Sequence, residues 1–361
     1  MIAPSRRVAH HVVRRVFEDD AYTDRAFPAA ATELDARDRA LAQRIAYGTV
    51  QRVRTIDHGI DTLGKRPTRK LDPAVLAALR VAGYELGWSE APAHAVADDA
   101  VELVRAAGLE RATGFTNAVC RRLSEGFRAL VATLPEGPLK NSYPDWIHDV
   151  WVRDFGEEEA LALERAQNEP PPLEDYRGIS RASRLAAEVV GSQPGERVLD
   201  TCAAPGNKTS LLAGDVTAVE INAGRARALA ERLPAVHVVN ADVRELDASG
   251  FDRALVDAPC SGLGVLNRRP DLRWHANPLP ELQLELLRAA AERTRAGGTI
   301  VYAVCTLNSD ENEAVVDASG LEPEPLGEEW PEFAHPKRPE FLLTTPHRHA
   351  TSGFFIARLR R

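Results

Sequence analysis

Two different periodicities divide this chain of 361 residues near residue 180. Up to about residue 130, apolar residues recur at helical spacing between charged ones, as in RRVAHHVVRRVF. From residue 180 onward, short apolar runs that fit β-strands, such as ERVLDTC and TIVYAVCTL, alternate with helical patterns. Such alternation is typical of βαβ units in a doubly wound parallel sheet. The sequence therefore predicts an all-α N-terminal domain followed by an α/β domain with a Rossmann-like sheet.

The periodicity is weakest between these two parts, which marks a connecting region. TLPEGP at 133–138 is rich in turn residues, and NEPPP at 168–172 cannot continue a helix, because proline lacks an N–H and its ring clashes with the preceding turn. We therefore predict a helical domain over residues 1–130, a linker or short helical region over 131–179, and an α/β domain over 180–361.

Charge and cysteine content exclude several classes of protein. The net charge of −8 is not that of a generally basic nucleic-acid binder, although the first 145 residues carry a slight excess of Lys and Arg, which suits local RNA contacts. Four cysteines without a CxxC pair are too few for a disulfide scaffold and do not fit a structural zinc site. The sequence shows neither a long apolar run nor a signal-peptide core. We therefore expect a cytoplasmic protein without a metal site or a membrane anchor.

The segment VLDTCAAPGNKTS combines a strand, a turn of small residues and the start of a helix. Small residues let a ligand approach the backbone at the carboxyl edge of a parallel sheet, where a helix N-terminus also offers free N–H groups. The next two predicted strands end in Glu220 and Asp242, which suit ribose hydroxyls and an adenine amino group. A GxGxxG turn is absent from the sequence, so the pattern favours an adenosyl ligand over a dinucleotide.

Two cysteines and an aspartate follow the last two predicted parallel strands. Asp257 and Cys260 lie in ALVDAPCSGLG, and Cys305 lies in VYAVCTLNSDENE. Because the carboxyl ends of such strands line one crevice, we expect these side chains to meet at the adenosyl site. A single cysteine is most often a packing residue, as we expect for Cys120. Two cysteines at one sheet edge indicate chemistry instead.

Four segments, DTCAAPGNKT, VDAPCSGLGVLNRRPDLRW, YAVCTLNSDENE and SGFF, resemble the NOL1/NOP2/Sun family of RNA cytosine-C5 methyltransferases. The helical region, with DRALAQRIAYGTVQR and LDPAVLAALRVAGYELGW, resembles the NusB-type RNA-binding fold. Together these resemblances cover nearly the whole chain. They imply a NusB-like RNA-binding domain before a class I S-adenosylmethionine methyltransferase domain. They also imply S-adenosyl-L-methionine as the cofactor and RNA, with small-subunit (16S) ribosomal RNA expected, as the substrate.

The resemblance also assigns roles to individual residues. Cys305 matches the family's nucleophile, whose thiolate adds to C6 of cytosine and makes C5 reactive enough to take a methyl group. Cys260 matches the family's second cysteine, which is implicated in releasing the product, and Asp257 is placed to hydrogen-bond the N3 and amino edge of the base. The predicted cofactor-binding residues are Cys202, Ala203, Ala204, Pro205, Gly206, Asn207, Lys208, Glu220, Asp242 and Asp257.

Three arginines after the DAPCSG segment are candidates to bind RNA. The target base must leave its stack to enter such a pocket, and nearby cations would hold the RNA backbone while it does so. We therefore predict Arg268, Arg269 and Arg273 as ligands of RNA phosphates.

The chain departs from the family pattern at several positions. Asn207 stands where the family has a second glycine, Val304 and Thr306 replace a threonine and a serine beside the nucleophile, and Ser352 replaces an aspartate before GFF. NEPPP is followed almost at once by the helix before ERVLD, where the family places a small RNA-binding insert. The insert is therefore expected to be shortened, which bears on the choice of RNA.

Other functions fit parts of this pattern. A non-catalytic RNA-binding protein with a degenerate methyltransferase domain would account for the short middle region. A DNA cytosine-C5 methyltransferase uses a cysteine after the fourth strand, as in Pro259-Cys260, but Cys305 and the absence of a large DNA-recognition segment argue against it. A small-molecule methyltransferase would not explain the NusB-like module. We therefore predict an RNA cytosine-C5 methyltransferase, with the non-catalytic RNA-binding protein as the alternative.

Overall fold

The computed structural model describes residues 2–172 and 179–361. The chain forms two structural units. Unit 1 comprises Met1–Asn168 and Leu266–His275, and unit 2 comprises Glu169–Val265 and Ala276–Arg361. The ten residues from Leu266 to His275 therefore belong to unit 1, although unit 2 supplies the chain on either side of them.

The helices and strands follow the two periodicities of the sequence. Among the described residues, no helix is long and apolar enough to cross a membrane. In chain order, the helices are α1 (Pro4–Glu18), α2 (Thr23–Ala30), α3 (Ala36–Gly64), α4 (Pro73–Trp88), α5 (Ala93–Ala106), α6 (Thr113–Thr133), α7 (Pro138–Asn141), α8 (Asp145–Phe155), α9 (Glu157–Ala166), α10 (Arg181–Val190), α11 (Ala223–Arg232), α12 (Leu272–His275), α13 (Pro280–Arg293), α14 (Glu313–Ser319) and α15 (Pro346–His349). The strands are β1 (Arg197–Asp200), β2 (Asp215–Val219), β3 (His237–Val239), β4 (Phe251–Asp257), β5 (Thr294–Val304), β6 (Glu322–Glu324), β7 (Leu342–Thr344) and β8 (Phe354–Arg360).

Local chemistry sets where the helices of unit 1 begin. Asp35 precedes α3, and its side chain accepts a hydrogen bond from the Asp38 N–H at 2.8 Å. Asp72 caps α4 through the Ala74 N–H at 2.9 Å, with Pro73 at the first helical position, where a missing N–H is harmless. Each such cap satisfies a free N–H group and stabilises its helix by about 1 kcal/mol.

The core of unit 1 consists of two apolar clusters, and α3 contributes to both. Ile56 and Ile60 pack with Phe127 of α6 in one cluster. Ile45 and Val50 pack with residues of α1 and α2 in the other. These buried apolar stripes are the source of the helical periodicity in the sequence. The prediction of an all-helical N-terminal domain is confirmed.

Helices α7, α8 and α9 extend unit 1 beyond the predicted boundary at residue 130. Ile147, Trp151 and Leu163 on these helices are fully buried. Of the two alternatives predicted for 131–179, a linker or a short helical region, residues 131–168 fit the second, and they group with unit 1. Their periodicity is weak because the helices are short and separated by turn residues. Residues 173–178 of the predicted linker lie outside the described residues.

The described residues of unit 2 form an eight-stranded sheet in the order β3-β2-β1-β4-β5-β8-β6, with β7 also paired to β8. Strands β1 to β5 are parallel, with Leu199 of β1 opposite Thr217 of β2 and Ala254 of β4. Strand β8 is antiparallel to β5, with Ile356 opposite Ala303. The predicted doubly wound sheet is confirmed, with GFFIARLRR forming the added strand. The short strands β6 and β7 were not predicted.

The strand order reverses between β1 and β4. From β1 the chain moves outward through β2 and β3, and from β4 it moves the opposite way to β5. Loops diverge at such a reversal and leave a crevice at the carboxyl ends of the strands, where ligands bind in open α/β sheets. We therefore expect a ligand to bind beside the residues that follow β1 and β4.

Candidate active site

The loops after the five parallel strands share one edge of the sheet in unit 2. They carry residues 202–208 after β1, Glu220 after β2, Asp242 after β3, Asp257 at the end of β4 and Cys305 after β5. The structure therefore brings the predicted cofactor-binding and catalytic positions to a single edge.

Cys260 and Cys305 face each other, with their Sγ atoms 3.5 Å apart and both side chains partly exposed. The hydrogen bond from Cys260 lowers the pKa of Cys305, and the positive charge of Lys208 acts in the same direction against the effect of burial. The shared hydrogen bond, burial and the negative charge of Glu311 raise the pKa of Cys260 well above its ordinary value. Both directions favour ionisation of Cys305 over ionisation of Cys260.

The buried Lys208 forms an ion pair with the partly exposed Asp257 beside the cysteines. Nζ of Lys208 donates to Oδ2 of Asp257 at 2.7 Å and lies 4.9 Å from the centre of the Phe354 ring. Burial lowers the pKa of Lys208, but the charge of Asp257 and its hydrogen bond outweigh burial and raise it overall. The lysine therefore stays protonated although it is only 9% exposed. Sequence analysis placed Lys208 in the cofactor loop but did not predict this pairing.

The turn after β1 depends on Gly206, which has a left-handed backbone conformation with φ 93°. A Cβ atom here would be strained by this φ and would lie 2.5 Å from Cδ1 of Leu229, so that the leucine side chain would have to shift. Asn207, at the position of the family's second glycine, accepts a hydrogen bond from Arg232 at 2.9 Å. Arg232 also donates to the carbonyl of Pro205 at 2.7 Å. The asparagine therefore adds an anchor between the turn and α11.

Asp200, the last residue of β1, is buried beside this turn. Its Oδ2 accepts a hydrogen bond from the Thr209 hydroxyl at 2.8 Å, whereas Oδ1 has no hydrogen-bond partner within the described part of the chain. Burial raises the pKa of Asp200 to about 7, against the lowering effect of the Thr209 bond. The carboxyl group of Asp200 therefore joins the end of β1 to Thr209, which follows the turn.

The residues after β2 and β3 offer two fixed carboxylates and one apolar surface. Oε1 of the buried Glu220 forms an ion pair with Arg225 at 2.9 Å and accepts a hydrogen bond from the Asn222 N–H at 2.7 Å. Asp242 is held by the guanidinium of Arg244 at 2.6 Å, which lowers the pKa of Asp242. Ile221 is 63% exposed. Among residues 2–172 and 179–361, it is the one large apolar side chain that is exposed. This combination matches the polar ribose and the apolar ring face of a nucleoside.

The SGLG and SGFF segments meet at the end of β5. The N–H of Gly264 donates to the carbonyl of Cys305 at 3.0 Å, and the N–H of Gly353 donates to the carbonyl of Gly264 at 2.8 Å. A Cβ atom on Gly264 would lie 2.1 Å from the Gly353 carbonyl oxygen. Glycine is therefore required there, and the close approach fixes the backbone of Cys305.

Arg273, one of the three predicted RNA ligands, lies in the interior of unit 1 and is 1% exposed. Its guanidinium lies 3.9 Å from the centre of the Tyr143 ring. Burial lowers the pKa of Arg273 to about 10. Because it is buried and bonded to backbone, Arg273 cannot reach an RNA phosphate, and the structure contradicts that prediction. The carbonyl oxygens that accept its hydrogen bonds belong to Gln51, Asn141, Ser142 and Gln167.

The other two arginines, Arg268 and Arg269, are partly exposed. Arg269 forms ion pairs with Asp24 at 3.0 Å and with the buried Asp271 at 3.2 Å. These pairs hold Arg269 in place while leaving part of its guanidinium at the surface, so both residues remain candidates for RNA contact.

The turn between α3 and α4 in unit 1 concentrates positive charge. The Thr68 N–H donates to the Asp61 carboxylate at 2.6 Å and holds the turn. Within the described residues, no acidic side chain forms an ion pair with the exposed cations there. A group of exposed cations attracts phosphates. It is a local basic patch of the kind that the sequence suggested for RNA contacts. The cations are Lys65, Arg66, Arg69 and Lys70.

Sequence analysis missed three features of the site: the Lys208 ion pair, the exposed Ile221 and the buried Glu311. Ile221 carried a usable signal, because an apolar residue directly after an acidic strand end is available to a ligand. Glu311 lies in the NSDENE stretch, where nothing in the pattern distinguishes a buried carboxylate from a solvated one. Long-range pairs such as Lys208 with Asp257 depend on the strand order and need the fold.

Comparisons with known proteins give two matching family models. Residues 187–360 match the family described as 16S rRNA methyltransferase RsmB/F, and residues 3–125 match the NusB family. The ribosomal RNA small subunit methyltransferase B of Thermus thermophilus is 34% identical over 375 residues, covering 90% of this chain and 89% of the relative. The putative methyltransferase Rv1407 of Mycobacterium tuberculosis is 32% identical over 447 residues, covering 99% of this chain and 96% of the relative.

The crystal structure of PH0851 shares the fold, with a TM-score of 0.79 and 20% sequence identity over 100% of this chain and 99% of that one. The alignment with Rv1407 spans 447 positions, well beyond the 361 residues here, so that relative carries segments that this chain lacks. This agrees in direction with the shortened insert expected after NEPPP.

Proposed function

Because this chain belongs to the RsmB/F (Sun/Fmu-type) family of 16S rRNA methyltransferases, which depend on S-adenosylmethionine, and carries its NusB domain, we propose that it methylates carbon 5 of a cytosine in 16S ribosomal RNA. The reaction proceeds through a covalent bond between Cys305 and C6 of the base. The observation that supports this most directly is the 3.5 Å approach of Cys260 to Cys305, beside the ion pair of Lys208 with Asp257.

The first step, addition of Cys305 to C6 of the base, requires a thiolate at neutral pH. An ordinary cysteine is mostly protonated there, and the thiolate is the nucleophile. The hydrogen bond from Cys260 and the charge of Lys208 both favour the ionised form of Cys305. Its sulfur can therefore donate an electron pair to C6 of the cytosine and form the C6–S bond.

Addition to C6 pushes negative charge towards N3 and O2 of the base, and the ion pair is suited to stabilise it. The Lys208 ammonium has donor hydrogens to spare beyond the one given to Asp257, and the carboxylate of Asp257 can accept from the amino group of the base. Preorganised charges of this kind are among the largest contributions to catalysis. Lys208 and Asp257 thus give the polar edge of the cytosine a donor and an acceptor together.

Cys260 serves the release of the product. After methylation, a base takes the C5 proton, the C5–H electron pair re-forms the C5–C6 double bond, and the C6–S electron pair returns to Cys305 as a thiolate. Cys260 lies beside that sulfur and already shares a hydrogen bond with it. Cys260 is therefore placed to transfer a proton to or from the sulfur of Cys305 as the adduct breaks down.

The strand-end residues fit a cationic adenosyl cofactor. S-adenosyl-L-methionine, when bound, supplies the methyl group from its sulfonium. The carboxylates of Glu220 and Asp242 suit its donor groups. Residues 202–208 give it a close approach to the backbone, and Ile221 offers an apolar surface for the adenine ring.

Two surfaces support an RNA substrate. Arg268 and Arg269 follow the loop that carries Cys260 and remain partly exposed. The cations of the α3–α4 turn, such as Lys65 and Lys70, add a second positive surface in unit 1. Cations attract the phosphate backbone without reading its sequence, so these groups support RNA binding but do not select the target cytosine.

The alternative of a non-catalytic RNA-binding protein predicts a degenerate site. In such a protein the contacts among the reacting groups would have no reason to persist. Here Cys305 contacts Cys260, and Asp257 contacts Lys208. The intact set of contacts favours catalysis.

The test is to incubate the protein with labelled S-adenosylmethionine and deproteinised 16S RNA, and to digest the RNA to nucleosides. We expect the label in 5-methylcytidine, and none in DNA of the same sequence. Label in another nucleoside would refute the C5 assignment. Cofactor binding without labelled RNA would favour the non-catalytic alternative for this RNA.

Replacing Lys208 with methionine is expected to raise the pKa of Cys305, because the ammonium that favours the thiolate is lost and Asp257 is left unneutralised. Alkylation of Cys305 by iodoacetamide, followed by mass spectrometry across a pH series, should move to higher pH. Methylation at neutral pH should fall by about 10- to 100-fold.

The matched control is Arg295→Met, which removes another ion pair of unit 2, that with Asp252 at 2.7 Å. It should leave the alkylation profile of Cys305 where the wild type has it. An unchanged profile in the Lys208 variant would mean that the ammonium does not act on the thiol.

A further inference from the structure

Glu311 is a fully buried carboxylate that the steps above do not use. Its Oε1 accepts hydrogen bonds from the Ser261 N–H at 3.0 Å, from Nε2 of Gln283 at 2.9 Å and from the Leu279 N–H at 3.2 Å. Its Oε2 accepts from the Ser261 hydroxyl and lies 3.4 Å from Nδ2 of Asn308. A buried charge is tolerated only when it is hydrogen-bonded in this way.

The partners of Glu311 are the neighbours of the two cysteines. Ser261 directly follows Cys260, and Thr306 directly follows Cys305. The hydroxyls of Ser261 and Thr306 lie 2.7 Å apart, and Oε2 of Glu311 is 3.4 Å from the Thr306 hydroxyl. One carboxylate therefore joins the loop after β4 to the end of β5 at the point where both thiols project.

The choice of glutamate has a chemical reason. An ionised carboxylate only accepts hydrogen bonds, so every donor around it can point inward. A glutamine of the same shape would present an NH₂ group on one side and clash electrostatically with a donor there. Loss of one partner in a buried network leaves the others unsatisfied, which shifts the loops they hold.

We propose that Glu311 is a positioning residue that holds Cys260 and Cys305 at reacting distance and, through its charge, keeps Cys260 as the thiol that donates to Cys305. The proposal rests on the proposed function for the reaction it serves, but the thiol geometry can be tested without RNA. Glu311 contacts neither the base nor the cofactor loop in this assignment.

The groups that act electrostatically on the thiol pair determine in which direction the alkylation profile of Cys260 should move. Cys260 is influenced by Cys305 and by Glu311, and it in turn influences Tyr302. Cys305 is also influenced by Lys208 and by Asp257. Removing the negative charge of Glu311 makes the Cys260 thiolate easier to form, so alkylation of Cys260 should move to lower pH.

The central experiment compares Glu311→Gln with the wild type by iodoacetamide labelling across a pH series, with each cysteine read separately by mass spectrometry. We expect the Cys260 profile to move to lower pH, towards that of Cys305. In the methylation assay kcat should fall by about 10²-fold, since an ångström-scale misplacement of reacting groups costs that much. The KM for RNA and the affinity for S-adenosylmethionine should stay close to wild type.

Two further variants separate position from charge. Ser261→Ala removes the hydroxyl that bonds to Glu311 and Thr306, and it keeps the carboxylate and the Ser261 N–H bond to it. It should lower kcat while leaving the Cys260 profile in place. Glu313→Gln makes the same chemical change two residues away, at a carboxylate paired with His335 at 2.6 Å, and should match the wild type in both assays.

The outcomes are distinct. A folded Glu311→Gln protein, judged by thermal melting and cofactor binding, with wild-type alkylation profiles and wild-type kcat would overturn the proposal. If Glu311→Gln does not fold, a Ser261→Ala protein with unchanged kcat would overturn it. If even the wild type methylates no RNA, the proposed function fails, whereas the labelling profiles still decide whether Glu311 positions the thiols.

Discussion

Replacing Cys305 with alanine is expected to lower the formation of 5-methylcytosine by at least about 10³-fold, which corresponds to about 4 kcal/mol of transition-state stabilisation. We expect that the neighbouring thiol does not substitute for it, because burial and the negative charge of Glu311 still raise the pKa of Cys260 when Cys305 is absent. The measurement is the yield of labelled 5-methylcytidine from 16S RNA at saturating cofactor. Binding of S-adenosylmethionine, followed by calorimetry, should change little.

The control for this variant is Cys120→Ala. Cys120 is buried in α6 of unit 1, so its loss should lower the melting temperature slightly through packing and leave methylation unchanged. The prediction fails if Cys305→Ala still methylates the RNA. If Cys260→Ala were the inactive variant instead, the chemistry would be that of a DNA-type cytosine methyltransferase.

Replacing Cys260 with alanine is expected to trap the enzyme on its RNA. The variant keeps Cys305 and can still form the C6–S bond, but it lacks the group placed 3.5 Å away to exchange a proton during release. Turnover should fall by about 10²-fold or more. A protein–RNA species that survives denaturing electrophoresis should accumulate, and its yield is the measured quantity.

The double variant Cys260→Ala, Cys305→Ala tests the bond directly. It should form no denaturation-resistant species, since the sulfur that bonds to C6 is gone. Wild-type turnover by Cys260→Ala, without accumulation of the adduct, would show that product release does not need this cysteine.

The fold could be predicted because its periodicities are strong. The stripes of α3 and α6 and the strands β1, β4 and β5 are buried on the faces that the pattern indicated. The boundary at residue 130 could not be read, because α7 to α9 are too short to show a clear period. Strands β6 and β7 have three residues each, as β3 does, but they lie outside the alternating strand–helix pattern that made β3 recognisable, and β6 consists of EPE.

The site was predicted as a set of strand ends, and its internal contacts were not. Parallel strands bring Asp257 and Cys305 to one edge whatever their partners are. The pairing of Asp257 with Lys208, by contrast, joins residues from different loops. The prediction that Arg273 binds RNA was wrong for a related reason. A basic residue in a charged segment is expected to be exposed, but tertiary packing buries this one.

The placement of Arg273 has a consequence for biosynthesis. The carbonyl groups of Asn141 and Gln167 in unit 1 receive hydrogen bonds from a residue that the ribosome adds more than a hundred positions later. The nascent helical unit thus stays incomplete until the segment Leu266–His275 emerges. A fragment that ends at Asn168 would leave those carbonyls without the Arg273 donor and would uncover the apolar neighbours of Trp274. Unit 1 is therefore complete only after residue 275 has been synthesised.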